Sequence, residues 1–438
     1  MKIAIPKERR PHERRVAVVP DTVRRFAQLG VDVSVETGAG ENAAILDYAY
    51  AEAGATVHAT RAETFAGADI ILKVQRPRTT TDGGADGLTD YPDGVILVAL
   101  HNPIGDPIGV EHYAAKNIVG FAMEFLPRIS RAQSMDVLSS QANLAGYKAV
   151  VDGAAQYGRA IPMMMTAAGR INPAKVFVMG AGVAGLQAVA TARRIGAVVS
   201  ATDVRVASKE EVESLGASFV MVEPDVDETG ETEGGYAKEM SEGYKRRQAE
   251  LVAKHIADQD IVVTTALIPG RPAPVLVTDE MITSMRAGTV IVDLAVEQGG
   301  NVTQSEGGKI VTTENGVIVM GHYNLPSRLA ADASSLYARN LFNFVELMID
   351  KKTKLLAIDW EDEIIAGSCL TRDGKIVHPV LLPQDQSGDE IQSETPNDFG
   401  EDIKIRSEAA EQTAVDTNTA AQTETPDPDQ DKPIEEEA

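Results

Sequence analysis

Short apolar runs alternate with amphipathic, helix-like stretches along most of this chain. In the first third, the apolar runs that predict strands cover residues 3–5, 31–35, 69–74, 95–100 and 118–121, with a helix over 20–29. From residue 175 the predicted strands are 175–179, 198–202, 218–222, 260–264, 289–293 and 317–320. Apolar strands that alternate with helices are typical of parallel sheets covered on both faces. The pattern predicts an α/β fold with two Rossmann-like parallel-sheet domains.

Helix starts and long helices suggest how the two sheets are connected. Ser208 with Glu211 reads as a capping box, and Thr278 before two acidic residues reads as a second helix start. Two longer helical patterns, 139–157 and 329–349, suit helices that pass between domains. We therefore predict an N-terminal α/β domain over 1–138, completed by 325–384, a dinucleotide-binding Rossmann domain over 139–324, and a tail over 385–438.

Residues 175–203 give the most specific indication of function. Gly180, Gly182 and Gly185 follow an apolar strand and open a helix, and Asp203 lies 18 residues after Gly185, behind a second strand. The first glycine permits a tight turn, the second lets a pyrophosphate approach the backbone, and the third lets helix and strand pack closely. The carboxylate can accept bonds from both ribose hydroxyls, which favours NAD over NADP. Arg205 complicates this preference because a basic residue there can accept a 2′-phosphate.

Composition limits the other functions open to this chain. Of 438 residues 43% are hydrophobic, and Cys369 is the single cysteine, which excludes an intrachain disulfide and a cysteine-based metal site. The seven histidines lack ligand spacing, so we predict no metal. The net charge of −24 argues against nucleic acid, and 17 acids against 3 bases in the last 54 residues predict a disordered acidic tail.

Neither a signal peptide nor a membrane span is visible in the sequence. Lys2 and the basic residues at 7–10 interrupt any apolar segment at the start, and no apolar run approaches the ~18–20 residues that span a bilayer. We therefore expect a cytoplasmic chain.

One long segment lacks any apolar periodicity. Residues 223–244 contain four glycines, many acids, Tyr236 and Tyr244. A long loop inside a compact sheet is usually functional or disordered. We interpret it as a lid at the nicotinamide end of the cleft, and an idle surface insertion remains the alternative.

Several motifs together resemble one known family. They are ISRAQSMDVLSSQANLAGYK at 129–148, PKERRPHERRVAVVP near the start, GAGVAGLQA, TDVR, EGGYAKEM, TTALIPGRPAP and VIVDLAVEQGGN. Over residues 1–380 the chain resembles the NAD(H)-binding α subunit of proton-translocating NAD(P) transhydrogenase, which is related to alanine dehydrogenase. Since membrane spans are missing here, it is most similar to the α1 subunit of the three-polypeptide form.

The resemblance implies a set of cofactor-binding residues. For the nicotinamide loop these are Arg128, Ile129, Ser130, Gln133, Ser134, Met135, Asp136 and Ser139. For the pyrophosphate turn and the adenosine end they are Gly180, Ala181, Gly182, Val183, Gly185, Asp203, Val204 and Arg205, and further contacts are Gly235, Tyr236, Gln248 and Leu267. Gln133, Asp136 and Tyr236 would position the nicotinamide, and no residue is assigned as a certain catalytic group.

The reaction implied by the resemblance is hydride transfer from NADH to NADP⁺, coupled to proton translocation. NADP(H) would lie on a partner subunit, and the membrane-spanning transhydrogenase subunits would carry the proton. The resemblance also implies a homodimer, peripheral to the inner membrane through those partners.

An NAD-dependent dehydrogenase of the alanine dehydrogenase type is the alternative function. Arg15, Lys73 and His101 stand where those relatives keep a carboxylate-binding cation, a proton carrier and a histidine. Glu297 departs from their pattern, because they carry Asp there and the extra methylene would misplace the carboxylate. A nucleotide-sensing subunit without turnover is a third possibility.

Overall fold

The computed structural model describes residues 1–78, 82, 87–222, 242–268 and 270–382. The strands in these ranges are β1 (Lys2–Ile5), β2 (Asp32–Glu36), β3 (Thr56–His58), β4 (Ile70–Gln75), β5 (Ile96–Leu100), β6 (Val119–Ala122), β7 (Met164–Thr166), β8 (Gly169–Ile171), β9 (Lys175–Met179), β10 (Val198–Thr202), β11 (Ser218–Phe219), β12 (Ile261–Thr264), β13 (Val290–Asp293), β14 (Ile310–Thr312), β15 (Ile318–Met320), β16 (Cys369–Arg372) and β17 (Lys375–Ile376). The α-helices are α1 (Pro20–Gln28), α2 (Asp47–Glu52), α3 (Arg61–Phe65), α4 (Pro107–Ala115), α5 (Val137–Gln156), α6 (Val183–Arg194), α7 (Ser208–Ser214), α8 (Glu242–Ile256), α9 (Asp279–Ser284), α10 (Ala330–Glu346) and α11 (Glu363–Ser368).

The first sheet is built mainly from the N-terminal strands. Its order is β17-β16-β6-β5-β4-β1-β2-β3. Strands β1 to β6 pair in parallel, whereas β16 joins β6 antiparallel. The central strands β4 and β5 are buried along almost their whole length, as expected for strands that pack on both faces. Burial on both faces explains why the sequences of β4 and β5 are almost continuously apolar.

The second sheet has the order β11-β10-β9-β12-β13-β15-β14. All its neighbours are parallel except β14, which pairs antiparallel with β15. From the central strand β9 the chain first builds outward through β10 and β11, and later builds the other half from β12. The strand order therefore reverses beside β9. In open α/β sheets the crevice at such a switch point, beyond the carboxyl ends of the strands, is where ligands bind. The two parallel sheets confirm the predicted α/β class.

Two long helices join the sheets. Helix α5 leads from the first sheet towards the second, and α10 follows the last strand of the second sheet. After α10 the chain adds β16 and β17 to the first sheet. Contacts join Met1–Pro383 into one compact unit. The predicted domain boundaries at 138/139 and 324/325 therefore stay a prediction, and the predicted tail at 385–438 lies outside the described residues.

Local predictions had mixed outcomes. Thr278 caps α9 as predicted, since its hydroxyl accepts the backbone N–H of Met281. The capping box at Ser208 is wrong, because Ser208 is a buried first residue of α7 and Ala207 stands at the cap without a side-chain bond. The strand predicted over 218–222 is only two residues long. Of the predicted loop, residues 223–241 lie outside the described part of the chain, and Tyr244 belongs to α8.

No helix in the part of the chain that the structure describes is long and apolar enough to cross a membrane. Within the same residues, no group of His, Cys, Asp and Glu side chains is arranged to hold a metal ion.

Candidate functional site

The turn between β9 and α6 lies at the switch point of the second sheet. Gly180 leaves β9 with φ of 107°, a left-handed conformation that L side chains rarely adopt. A Cβ on Gly185 would overlap the carbonyl oxygen of Gly180, so helix and turn are in direct backbone contact. By contrast, a Cβ on Gly182 would meet no atom of the described residues within 4 Å. The protein itself does not require glycine at 182, whereas a ligand that came close to the backbone would.

The start of α6 points free donors into this open space. Gly182 is the N-cap, and no side chain caps the helix. Val183 is 42% exposed beside it, and Ala181 is fully buried beneath. The first N–H groups of a helix lack intrahelical acceptors, and the helix dipole makes this end attractive to anions. The arrangement suits a pyrophosphate.

Asp203 follows β10 and lies against the glycine-rich turn. Its Oδ2 accepts the backbone N–H of Ala181 at 2.6 Å. Its Oδ1 accepts the backbone N–H of Arg205 at 2.9 Å and the Arg205 Nε at 3.0 Å. The acid that would recognise a ribose is thus oriented by the turn itself.

Two further predicted residues lie beside Asp203 and β10. Val204 is 49% exposed, which leaves an apolar surface next to Asp203. Gln248 on α8 donates to Thr202 Oγ1 at 3.0 Å and accepts from Val222 N at 2.9 Å. Gln248 therefore ties α8 to the carboxyl ends of β10 and of the strand beside it.

The predicted nicotinamide loop precedes α5. Asp136 is the N-cap of α5 and accepts the backbone N–H of Ser139 at 2.9 Å, and the Ser139 hydroxyl donates to the same carboxylate. The carbonyl of Ser134 accepts from Asn340 and Asn343 of α10, at 2.9 and 3.0 Å. These bonds hold the loop against two helices at once.

Members of this loop differ in exposure. Met135 is only 4% exposed and packs in the core of the first sheet, so its side chain supports the loop from below. The exposed members, which can face a ligand, are Arg128, Ser130, Gln133 and Ser134, and Ile129 is half-buried.

Close packing of α5 on α6 joins the helix that follows the loop to the helix that follows the turn. A Cβ on Gly146 would overlap the carbonyl oxygen of Ala184, so the two helices touch through their backbones. Ser139 lies seven residues earlier on α5, about 10 Å along the helix axis. Leu267, 48% exposed after β12, lies at the same carboxyl edge as the turn. Gly235 and Tyr236 lie outside the described residues.

The basic residues of the dehydrogenase alternative are buried and paired. Arg15 forms a bidentate pair with Glu13 at 2.6 and 2.8 Å and also donates to Gln141 at 2.8 Å. Burial alone would raise the pKa of Glu13, but the charge and hydrogen bonds of Arg15 outweigh it and lower that pKa to about 2. Lys73, 2% exposed, pairs with Glu8 at 3.1 Å. Both cations already have carboxylate partners from this chain.

His101 is buried in the first sheet as well. Its Nδ1 lies 3.2 Å from the hydroxyl of Tyr113, while Nε2 has no hydrogen-bond partner. Burial lowers the pKa of His101 to about 3. A histidine that stays neutral and enclosed is poorly placed to exchange protons with a substrate.

A cavity of about 320 Å³ opens near this cluster, and its lining includes Glu13, Glu297, Tyr323 and Asn324. Desolvation raises the pKa of Glu297, whose Oε2 accepts the backbone N–H of Asn324 at 3.4 Å. Arg15, Lys73 and His101 are not among the lining residues. The cavity therefore reaches Arg15 only through its partner Glu13.

Sequence reasoning missed one ionisable group in the first sheet, Glu124. It follows β6, and its Oε1 accepts the backbone N–H groups of His101 and Asn102. Its Oε2 is buried without a hydrogen-bond partner among the described residues, and burial raises the pKa of Glu124 to about 7. A single glutamate at the end of an apolar run carried no signal of this environment.

We expect Glu124 to make stability depend on pH. Because its folded pKa lies above the unfolded value of 4.5, its contribution is complete below pH 4.5 and is lost as the pH rises through 7. The loss should approach about 3 kcal/mol, since each pKa unit is worth about 1.4 kcal/mol. Glu124→Gln keeps an acceptor for both N–H groups and does not ionise. Between pH 5 and pH 8 the free energy of unfolding of wild type should therefore fall by about 3 kcal/mol relative to that of the variant. Urea unfolding at both pH values measures this, with exposed Glu52→Gln as control; equal differences at both pH values would refute it.

Both halves of the chain are similar to known proteins. The models of the alanine dehydrogenase/PNT N-terminal and C-terminal domains match residues 4–145 and 149–379. The chain is 56% identical over 384 residues to the first polypeptide of the NAD(P) transhydrogenase α subunit of Rhodospirillum rubrum, covering 88% of this chain and 100% of that protein. A crystal structure of transhydrogenase from Sinorhizobium meliloti matches with a TM-score of 0.77 and 51% identity, over 86% of this chain and 100% of that one.

An alanine dehydrogenase of Methanococcus maripaludis is 28% identical over 393 residues, covering 87% of this chain and 95% of that protein. Both family domains are thus present, the N-terminal one first. The transhydrogenase subunit is more similar to this chain than the alanine dehydrogenase is. The chain therefore belongs to the alanine dehydrogenase/PNT family, and within that family to the NAD(P) transhydrogenase α subunits.

Proposed function

We propose that this chain is the NAD(H)-binding subunit of a proton-translocating NAD(P) transhydrogenase. It holds NADH for hydride transfer to NADP⁺ on a partner subunit, and membrane-spanning partner subunits couple the transfer to proton movement. One observation carries the proposal: at the switch point of the second sheet the open helix start at Gly182 lies beside the acid Asp203, and α5, which follows the loop at 128–139, touches the same helix at Ala184.

Each part of the crevice suits one part of the dinucleotide. The backbone N–H groups of Gly182 and Val183 can donate to the pyrophosphate. Asp203 can accept from the adenosine ribose, beside the exposed side chain of Val204. This leaves the nicotinamide half to the loop before α5.

The loop supplies polar groups for the nicotinamide and its ribose. Gln133 is exposed and offers both a donor and an acceptor to a carboxamide. Asp136 and Ser139 share a hydrogen bond at the helix start, which orients both side chains. Arg128 is exposed at the beginning of the loop. These residues would fix the ring in one plane.

Positioning is the catalytic task that remains for such a subunit. Bound NADH supplies the hydride at its nicotinamide ring, and no acid or base is needed for transfer to a second nicotinamide. The residues of this chain then act by holding the ring close to its acceptor and by excluding water. The neutral, enclosed state of His101 agrees with a reaction that makes no use of it as an acid or base.

The contacts in the first sheet favour this function over amino-acid oxidation. Arg15 and Lys73 are neutralised by Glu13 and Glu8, and neither lines the nearby cavity. A 2-oxo acid would have to displace a carboxylate of this chain from one of these buried cations. An activity of the alanine dehydrogenase type therefore stays the second candidate. Its support is the 28% sequence identity to an alanine dehydrogenase.

Binding and mixing experiments test the proposal. Equilibrium titration should show one NADH per chain, bound in preference to NADPH. Mixed with a matching NADP(H)-binding domain, the chain should transfer hydride without any membrane present. Rapid NADH formation from alanine by the chain alone would instead support the dehydrogenase function.

We further propose that two copies form a homodimer through the β7–β8 hairpin. Both strands are exposed at every position. Met163, Met164 and Met165 are 56%, 44% and 76% exposed, and Ile171 across the hairpin is 40% exposed. An isolated two-stranded hairpin is marginally stable in water, so a covering surface would stabilise it. A second copy of the chain supplies such a surface.

We expect Met165→Asp to shift the assembly towards monomer, because a carboxylate would be buried at the interface without a partner. Light scattering at micromolar concentration measures the mass. Val380→Asp is the control, since Val380 is 65% exposed on another element. A dimeric Met165→Asp protein, or a monomeric wild type, would contradict the assignment of this interface.

A further inference from the structure

Asp203 is saturated with donors from its own chain. A carboxylate offers about four acceptor positions. The backbone N–H groups of Ala181 and Arg205 fill two of them, at 2.6 and 2.9 Å. The Arg205 side chain fills the other two, with Nε at 3.0 Å from Oδ1 and Nη2 at 3.2 Å from Oδ2. While all four donors stay in place, no acceptor position is left for the two hydroxyls of a ribose.

The four donors differ in how easily they can leave. The N–H of Ala181 belongs to the turn, where the Ala181 side chain is fully buried, and the N–H of Arg205 is two residues from Asp203 in the same backbone. The Arg205 side chain is 27% exposed, against 9% for Asp203, so it reaches the carboxylate from the solvent side. Its withdrawal would free two acceptor positions, which is the number that the 2′- and 3′-hydroxyls require.

We propose that Arg205 sets the nucleotide specificity of this subunit by competing with the ribose for Asp203. The proposal rests on the proposed function, because it concerns the same NAD(H) site. While Arg205 is paired, it neutralises the acid, so the ribose end of the crevice carries little net negative charge. NADH must break the side-chain pair to bind, and this lowers its affinity.

The same arginine also reduces the discrimination against NADPH. A bare carboxylate would repel a 2′-phosphate, whereas a guanidinium released from Asp203 can bind the phosphate with two parallel hydrogen bonds. Arg205 therefore weakens NADH and assists NADPH, and both effects reduce discrimination. The strong preference for NADH that Asp203 alone would impose is moderated by its neighbour.

Removal of the side chain is a clean test, because the backbone still orients the acid. In Arg205→Met the N–H groups of residues 181 and 205 continue to donate to Asp203, and the apolar stem is kept. We expect the ratio of the NADPH and NADH dissociation constants to rise at least about tenfold, with NADH bound no more weakly than by wild type. Arg205→Lys keeps the charge without the two-pronged geometry, so its ratio should lie between the two.

Fluorescence titration with NADH and NADPH, on wild type, the two variants and Asp203→Asn, measures these ratios. Asp203→Asn should move the ratio in the opposite direction, towards equal binding. Thermal unfolding of each protein shows whether it is folded, and Arg205→Gln replaces any variant that is not. An unchanged ratio in Arg205→Met, or NADH weakened more than about tenfold, would overturn the inference, since Arg205 would then be neutral or a direct ligand of NADH. A folded wild type that binds no NADH would refute the proposed function itself.

Discussion

Replacing Gly182 with alanine should weaken NADH binding at least about tenfold, or about 1.4 kcal/mol, while leaving the fold intact. In the part of the chain that the structure describes, the added methyl group would meet no atom within 4 Å, and Gly182 has φ of −75°, which alanine adopts without strain. The free energy of unfolding should therefore stay within about 0.5 kcal/mol of wild type. The methyl group instead occupies the space where the pyrophosphate would approach the backbone.

Gly185→Ala is the matched variant at the same turn. Its Cβ would overlap the carbonyl oxygen of Gly180, so helix and strand must move apart. We expect a loss of about 1–3 kcal/mol of stability together with weaker NADH binding. Urea unfolding and NADH titration of both variants separate a ligand contact from a packing contact. A folded Gly182→Ala protein that binds NADH as tightly as wild type would show that the pyrophosphate does not lie over residue 182.

Gly146→Ala should be among the most destabilising single methyl additions in the described residues, at about 3 kcal/mol. In an open helix this substitution would stabilise by about 1 kcal/mol. Here the Cβ would overlap the carbonyl oxygen of Ala184, where α5 crosses α6. Because neither backbone can yield without loss of its own hydrogen bonds, the helices would separate.

The separation should also affect binding, since α5 carries the 128–139 loop and α6 carries the turn. We expect NADH affinity to fall along with stability, although Gly146 would contact no ligand itself. Gly158→Ala is the control, because a Cβ there would meet nothing within 4 Å. Equal unfolding midpoints for the two variants in urea would refute the close helix crossing.

Most of the strand pattern could be predicted from the sequence because burial is local in a parallel sheet. Val176 to Val178 of β9 and Ile261 to Val263 of β12 are buried on both faces, so these segments are continuously apolar. Turns and caps that depend on one or two residues were also predictable, such as the positive φ at Gly180 and the cap at Thr278. Ser208 failed because a capping sequence does not show whether the serine is buried.

Contacts between distant segments could not be predicted in this way. The pair of Arg15 with Gln141 spans 126 residues, and the anchoring of Ser134 by Asn340 spans 206. Glu124 belongs to the same class, since its raised pKa arises from the segments packed around it. Such environments depend on which elements meet, and no local periodicity encodes that.

The sequence by itself determined the α/β class, the strand–turn–helix unit around Gly180 and the acid behind it, because each of these depends on residues close in the chain. The tertiary structure alone decided what surrounds them. It placed α5, which follows the loop at 128–139, against α6 through the contact of Gly146 with Ala184, and it buried Arg15 and Lys73 against their carboxylate partners. It also filled every acceptor position of Asp203. The reason is physical: backbone approach, desolvation and competition for hydrogen bonds are properties of neighbours in space, and these neighbours are set by packing.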